Sequence, residues 1–320
     1  MFDSALIAEK PGTELSFLWL ELTSRCNLSC VHCYSESSPS VTKDALGADD
    51  YSRVIEVASS LGCIRLQFIG GEPTLHPALP NLIALARRCG YQFVEVFTNA
   101  TRVSESLLGC FVREKVAVAT SFYSHDPAIH DAITKRPGSH SETVKHIKRF
   151  LRVGLDLRVG IITMEENANT LVETKEFLKN LGVTNVGSDR VRGFGRGTDV
   201  VRLQQPNLTE LCGSCWRGSV CVSPEGTVYP CIMARSWPIG SVLQSSLASI
   251  LASQSLQAIR EEIYNRIWLP KQRPEQTVAA SCGPECVPMC SPTCSPSCNP
   301  CYPQGRCNPE LYCGPCGPAR

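Results

Sequence analysis

Three cysteines stand close together in Cys26-Asn-Leu-Ser-Cys30-Val-His-Cys33, a C-x3-C-x2-C spacing. Three thiolates from one short loop can hold three irons of a 4Fe–4S cluster, because thiolate is the ordinary ligand of such clusters. The fourth iron then lacks a protein ligand, and an open position separates a catalytic metal from a closed structural one. The same residues admit a zinc knuckle with His32 as fourth ligand. His32 directly precedes Cys33, however, an awkward spacing for closing a tetrahedron, and no second ligand pair lies nearby. The other cysteines fall in three sets: Cys63, Cys89 and Cys110 singly, four over 212–231, and nine over 282–316. The single ones lie beside apolar segments and read as small buried hydrophobes. The dense sets read as metal-binding, with a zinc-binding or disordered Cys-Pro segment as the alternative for the last. His76, His125, His140 and His146 read as loop or polar-face residues without chemistry.

Such ligands need a frame, and the first two thirds of the chain supply a repeating one. Strand-like segments at Leu15–Leu22, Ile64–Ile69, Phe93–Thr98, Val116–Phe122, Leu155–Thr163 and Val183–Asp189 alternate with helix-like ones. The helical segments are Ala48–Leu61, Leu79–Cys89, Ser104 to about Lys115, Glu142–Val153 and Thr170–Leu181. Six alternations imply parallel strands with crossover helices, hence an α/β fold: a partial (β/α)6 TIM-like barrel. In parallel α/β folds the site lies at the carboxyl ends of the strands. The Cys26–Cys33 loop follows the first strand, Gly70-Gly71-Glu72-Pro73 the second, and Asn99 the third. Glu72, held between Gly71 and Pro73 at a strand end, reads as a site residue rather than a surface carboxylate.

The alternation breaks near Gly193-Phe-Gly-Arg-Gly197. Beyond it, Val220–Val222 and Thr227–Tyr229 flank the turn signal Pro224-Glu225-Gly226 and predict a hairpin; Leu247–Tyr264 predicts a helix. From Ser281 the chain is mostly Cys, Pro and Gly, and only metal can order a segment so poor in apolar residues. The expected divisions are a barrel over 1–195, a hairpin-and-helix region over 196–270 and a cluster-binding tail over 271–320, the last two forming a small Cys-rich auxiliary-cluster domain.

The chain has 320 residues, 43% of them hydrophobic, and a net charge of +1. That balance offers no basic face for nucleic acid or an anionic membrane. The first residues lack the apolar run of a secretory signal, and no stretch reaches the roughly 18 apolar residues of a membrane span. The expected compartment is the cytoplasm, where 19 cysteines point to metal rather than disulfides.

Taken in order, these motifs resemble the radical S-adenosylmethionine (SAM) superfamily over residues from about 16 to 190. Thr23-Ser-Arg-Cys-Asn-Leu-Ser-Cys-Val-His-Cys-Tyr34 is similar to its cluster loop, and Gly70-Gly71-Glu72-Pro73 to the motif that receives the SAM amino group. Asn99 closes strand three as in the family. Ser121, followed by His130-Asp131 and Gly138-Ser139, resembles the segment that contacts ribose and carboxylate. Where the family often has Arg this chain has Thr134, and Arg136 is the expected substitute. The resemblance implies that Cys26, Cys30 and Cys33 hold a SAM-binding 4Fe–4S cluster, with Gly70, Gly71, Glu72, Pro73, Asn99, Ser121 and Arg136 around the cofactor. No catalytic base is legible.

Cys212-Gly-Ser-Cys215-x5-Cys221-x4-Gly226-x4-Cys231 resembles the opening of the SPASM extension, which carries auxiliary clusters in peptide-modifying members; Cys298-x2-Cys301-x5-Cys307 resembles its second half. One or two auxiliary 4Fe–4S clusters are implied. One would take Cys215, Cys221, Cys231 and Cys313, the other Cys298, Cys301, Cys307 and Cys316. Cys212 receives no role, and Cys282, Cys286, Cys290 and Cys294 have no counterpart in that extension. The implied activity is radical modification of a residue in a ribosomally made peptide, by crosslinking, oxidation or epimerisation. A formylglycine-generating protein maturase and a non-enzymatic Cys-rich metal scaffold are the alternatives. The expected partners are a peptide or protein substrate, a flavodoxin or ferredoxin as electron donor, and a separate leader-peptide-binding protein, because strand one begins near Leu15.

Overall fold

Phe-Leu-Trp-Leu-Glu, residues 17–21, alternates side chains that must face apolar and polar surroundings, and it forms the first strand of the sheet. The computed structural model describes residues 11–12, 14–41 and 44–272. The tail cysteines Cys298, Cys301, Cys307, Cys313 and Cys316, with Cys282–Cys294, lie outside the described residues.

The strands are β1 (Phe17–Glu21), β2 (Arg65–Ile69), β3 (Phe93–Thr98), β4 (Ala117–Phe122), β5 (Leu157–Thr163) and β6 (Asn185–Arg190). All pair in parallel with their sequence neighbours. Between them run α1 (Ala48–Ser60), α2 (Leu79–Arg88), α3 (Glu105–Arg113), α4 (Pro127–Thr134), α5 (Ser139–Arg152) and α6 (Leu171–Asn180). This is the expected α/β architecture. Leu18, Leu66, Val94, Val118 and Val159 are all at most 1% exposed and carry the helix-facing layer across the sheet.

The opposite face of the sheet is polar and aromatic. It lines a cavity of about 540 Å³ with Trp19, Gln67, Glu95, Phe97 and Arg158 among its walls. Arg158 grips buried Glu95 through Nε and Nη2 at 2.7 and 2.8 Å, and Gln67 donates to the same carboxylate. Strands of five to seven residues are too short for this inward alternation to stand out in the sequence.

Several local expectations change. Asp126 N-caps α4 by accepting from Ala128 N–H at 2.8 Å, with Pro127 at the first helical position. That Asp-Pro signature marks a helix start, and the sequence reading passed over it. His140 and His146 are 8% and 4% exposed, not on a polar face. His140 packs against Phe122 with ring centroids 5.3 Å apart, and His146 Nε2 accepts from Val103 N–H. Cys63 and Cys110 are buried as expected, whereas Cys89, at the end of α2, is half-buried. The single helix expected over Leu247–Tyr264 is two, α8 (Leu247–Leu251) and α9 (Gln254–Ile263), because Ser253 turns outward to cap Leu256 N–H. A short α7 (Gly197–Val201) precedes these two helices in the chain.

The expected hairpin is present as β7 (Ser219–Val222) and β8 (Thr227–Tyr229), followed by β9 (Gly240–Ser241). β7 also pairs in parallel with β1, in the register Phe17↔Ser219 to Leu20↔Val222. One nine-stranded sheet, β6-β5-β4-β3-β2-β1-β7-β8-β9, therefore runs through both regions. Among the described residues no helix is long and apolar enough to cross a membrane.

Candidate active site

The loop after β1 is pinned before it reaches its cysteines. Asp44 accepts from Thr23 Oγ1 at 2.5 Å and from Ser24 N–H and Oγ at 2.7 Å each. Those bonds hold the Asp44 carboxyl below its usual range, against the opposing effect of partial burial. Further along, Ser29 and Val31 N–H donate to the carbonyls of Thr134 and Ile133 at the end of α4. α4, unseen in the sequence, is thus one wall of the loop.

Cys26 is 8% exposed, while Cys30 and Cys33 are half-buried. Leu28 N–H and Asn99 Nδ2 donate toward Cys26 Sγ at 3.4 and 3.6 Å. Asn99 Nδ2 also bonds Asn27 Oδ1 at 2.8 Å, and Asn99 Oδ1 accepts from Thr101. Burial pushes the Cys26 thiol well above its usual range and the Cys30 thiol up to about 12. A metal bound there must displace those protons, and its positive charge would then compensate the buried thiolates.

These donors fit an iron–sulfur cluster. All three are soft sulfur ligands, two N–H groups stabilise one of them, and the loop is walled by protein. Among the described residues no three His, Cys, Asp or Glu side chains converge as they would on a single ion; ligands to separate irons stand further apart. His32, the zinc-knuckle candidate, has a buried Nδ1 without a hydrogen-bond partner. Its ring lies edge-on to Tyr123 at 5.0 Å, and burial lowers its pKa to about 4.

Glu72 meets this loop at the end of β2. Gly71 N–H donates to Thr23 O at 2.7 Å and Glu72 N–H to Arg25 O at 3.0 Å. A Cβ on Gly71 would lie 2.2 Å from Arg25 O. The glycines therefore permit close approach to the chain's own cysteine loop, a second purpose beside the approach to a ligand expected from sequence. Glu72 is 1% exposed. Its Oε1 accepts from Thr74 N–H, Thr74 Oγ1 and Thr98 Oγ1 at 3.1, 2.6 and 2.6 Å, and its Oε2 from Asn99 N–H at 2.7 Å. Burial raises its pKa despite these bonds. Pro73 opens the short 3-10 turn that Glu72 caps. Ser121 is half-buried near the end of β4. Arg136 is half-buried in the turn between α4 and α5, and buried Thr134 bonds Ser139 Oγ at 2.6 Å instead of facing a cofactor.

The second cysteine group lies across β1. Cys215 and Cys231 are buried with their sulfurs 2.9 Å apart. Cys212, given no role from sequence, hydrogen-bonds with Cys215, and that bond holds its thiol down to about 5. Cys221 sits on β7 beside Trp19, fully buried, its thiol raised by burial and then by the Glu21 charge. Cys215 thus contacts both Cys212 and Cys231, although the three do not converge on one point, and the Cys231 charge acts on Cys221. Between the groups stands a network the sequence reading missed. Buried Glu21 accepts from Tyr34 OH at 2.9 Å and Arg235 Nη1 at 2.5 Å. A glutamate ending an otherwise apolar strand was the available signal.

A parallel sheet bearing a three-cysteine loop and a Gly-Gly-Glu turn at its carboxyl ends, with a second cysteine group stitched to its first strand, defines a class. The chain matches the radical SAM superfamily over residues 20–178 and the iron–sulfur cluster-binding SPASM domain over 212–286; it belongs to the radical SAM superfamily. Members use a 4Fe–4S cluster and SAM, and the SPASM domain carries auxiliary clusters. The SPASM match takes in Cys282 and Cys286, which the sequence reading left without counterparts. The chain is 28% identical to the antilisterial bacteriocin subtilosin biosynthesis protein AlbA of Bacillus subtilis (strain 168), over 73% of this chain and 58% of that one. It is 26% identical to a PqqA peptide cyclase of Rhodopseudomonas palustris, over 65% of this chain and 55% of that one. The chain thus spans a little over half the length of these two curated relatives. Streptococcus suis SuiB bound to its precursor peptide SuiA superposes with a TM-score of 0.65 at 15% identity, covering 78% of this chain and 67% of that one. The protein anSMEcpe with bound AdoMet gives 0.60 at 18% identity, covering 76% and 82%. At such identities the likeness is one of fold.

Proposed function

We propose that this protein is a radical SAM enzyme that modifies a residue of a ribosomally made precursor peptide. The observation carrying the reading is the meeting of the Cys26–Cys33 loop with Gly71, Glu72 and Asn99, beside a SPASM region joined to the same sheet. A cluster on Cys26, Cys30 and Cys33 would supply the electron that breaks the C–S bond of SAM, giving a 5′-deoxyadenosyl radical that takes hydrogen from the peptide. The protein's own part is placement. The Glu72 carboxylate, fixed by four hydrogen bonds, is set to receive the SAM ammonium, whose charge offsets the burial of its own. Asn99 orients Cys26, and α4 and Tyr123 shut water from the loop's far side. AlbA, the PqqA cyclases and SuiB are peptide-linked by name, which supports a peptide substrate here.

A flavodoxin or ferredoxin as electron donor and a cytoplasmic location complete the proposal. For the auxiliary site, Cys215 and Cys231, whose sulfurs already touch, are ligands together with Cys221, and Cys212, bonded to Cys215, is a further candidate. The test is anaerobic reconstitution with iron, sulfide, SAM and a reductant, with and without a candidate precursor peptide. The proposal requires release of 5′-deoxyadenosine and a mass change in the peptide. A non-enzymatic scaffold would release none.

A further inference from the structure

The Gly193-Phe-Gly-Arg-Gly197 segment, where the strand–helix alternation ends, folds back onto the far side of the cysteine loop. Phe194 is 1% exposed and anchors it, edge-on to Trp237 at 6.2 Å. Gly195 has φ +52, and a Cβ there would sit 2.4 Å from Tyr34 O and 2.6 Å from Cys33 O. Only a glycine lets the two backbones lie this close. The approach brings Arg196 N–H to Cys33 O at 3.1 Å. Its side chain then spans the loop: Nε donates to Cys30 O at 2.8 Å and Nη2 to Ser37 O at 2.8 Å. One guanidinium thus ties two points of the loop, across 166 and 159 residues of sequence. A planar fork with fixed donors suits that task, and a lysine cannot reproduce it.

We infer that Arg196 is a positioning residue for the cluster on Cys26, Cys30 and Cys33: its fork holds the loop at Cys30 and Ser37, its backbone N–H holds Cys33, and its charge raises the cluster's reduction potential. This rests on the cluster reading of the loop. An iron–sulfur cluster with thiolate ligands gains negative charge on reduction, so a fixed cation against a ligand residue favours the reduced state. Arg196 makes no contact with Glu72 or Asn99 in the hydrogen bonds described above, so its effect is separable from the SAM pocket.

The test uses the full-length reconstituted protein and the reduced-cluster EPR signal that is missing from the C26A/C30A/C33A variant. R196Q removes the charge. At a fixed potential near the midpoint it should change the ratio of reduced to oxidised cluster about tenfold toward oxidised, a midpoint lower by about 59 mV for one electron. R196K keeps the charge but not the fork. Its midpoint should stay within about threefold of wild type on the same scale, while a chelator strips the loop's iron several-fold faster. A midpoint shifted less than twofold in R196Q, or a wild-type stripping rate in R196K, overturns the inference. If R196Q does not fold, the stripping rate of R196K decides alone. If wild type and the triple-cysteine variant bind equal iron and show equal signals, the cluster reading itself has failed, an outcome distinct from the first two.

Discussion

Replacing Glu72 by glutamine changes one atom in a fully enclosed carboxyl group, so its consequences can be worked through bond by bond. Oε1 serves three donors and Oε2 serves one, Asn99 N–H at 2.7 Å. The amide keeps most bonds by leaving its oxygen toward Thr74 and Thr98. Its NH2 then faces the Asn99 N–H, donor against donor. One buried backbone donor goes unsatisfied, which costs about 1–3 kcal/mol. The SAM-free protein should therefore melt a few degrees lower, at about 2–4 °C per kcal/mol. SAM binding loses a charge-assisted hydrogen bond worth about 1.5–3 kcal/mol, or about 10–150-fold in Kd. Burial has raised the Glu72 pKa, so a SAM ammonium relieves the buried charge in the wild type and has nothing to relieve in E72Q. Equilibrium dialysis of SAM against reconstituted E72Q, beside melting of the SAM-free form, measures both. A lowered melting point with unchanged SAM affinity would refute the ligand role and leave Glu72 a purely structural anchor.

The C26A/C30A/C33A variant should lose one cluster of iron and all 5′-deoxyadenosine formation while keeping the auxiliary iron; iron analysis with product chromatography checks it. Truncation before Cys282 should remove about one to two clusters, at roughly four thiolates each, and stop peptide modification without stopping uncoupled SAM cleavage, as Mössbauer spectra and product assays would show. Burial lowers the His130 pKa to about 3, against an unfolded value of about 6.5. Between these values the unfolded chain binds the extra proton, so stability is full above about pH 6.5 and falls as pH drops, by up to about 1.4 kcal/mol per unit. Urea unfolding from pH 7 to 5 should show at least that slope, and H130Q should reduce it by up to about 1.4 kcal/mol per unit, leaving the share of His32 and the other histidines that burial lowers. Gly71→Ala drives a Cβ into Arg25 O at 2.2 Å and should cost about 3 kcal/mol or more. Gly109→Ala, within α3 and with open space around it, should instead stabilise by up to about 1 kcal/mol; paired melts would separate the two.

The parts of the site that were legible are those whose chemistry is local. Cys26, Cys30 and Cys33 lie within eight residues, so their spacing announces a shared task without the fold. The five longer barrel helices stood out because each carries an apolar stripe over nine or more residues, whereas α4, eight residues long, offers barely two turns and is marked chiefly by its Asp126-Pro127 start. What stayed hidden is long-range pairing. Glu21 and Arg235 are 214 residues apart, and nothing beside either names the other. Cys212 lacked a role because its bond to Cys215, and the contact of Cys215 with Cys231 beyond β8, depend on how the chain turns on either side of the hairpin. Likewise Glu72 was recognisable as a site residue, but not that three of its four bonds come from Thr74 and Thr98.

The parallel pairing of β1 with β7 also fixes a timetable. Ser16 Oγ and the carbonyl of Gly218, which meet where the two strands begin, are separated by 202 residues. At translation speeds of about 5–20 residues per second, roughly 10–40 s pass between the emergence of one strand and the other. Through that interval the strand leading into the cysteine loop can gain β2 but not its second neighbour, and an open strand edge invites pairing with other chains. A nascent chain of this design is therefore a natural client for chaperones that shield exposed edges. It also follows that an excised fragment ending near residue 195 carries the complete cysteine loop yet keeps that edge open permanently. Such a fragment should be recovered as aggregate unless a peptide corresponding to residues 214–232 is supplied alongside it.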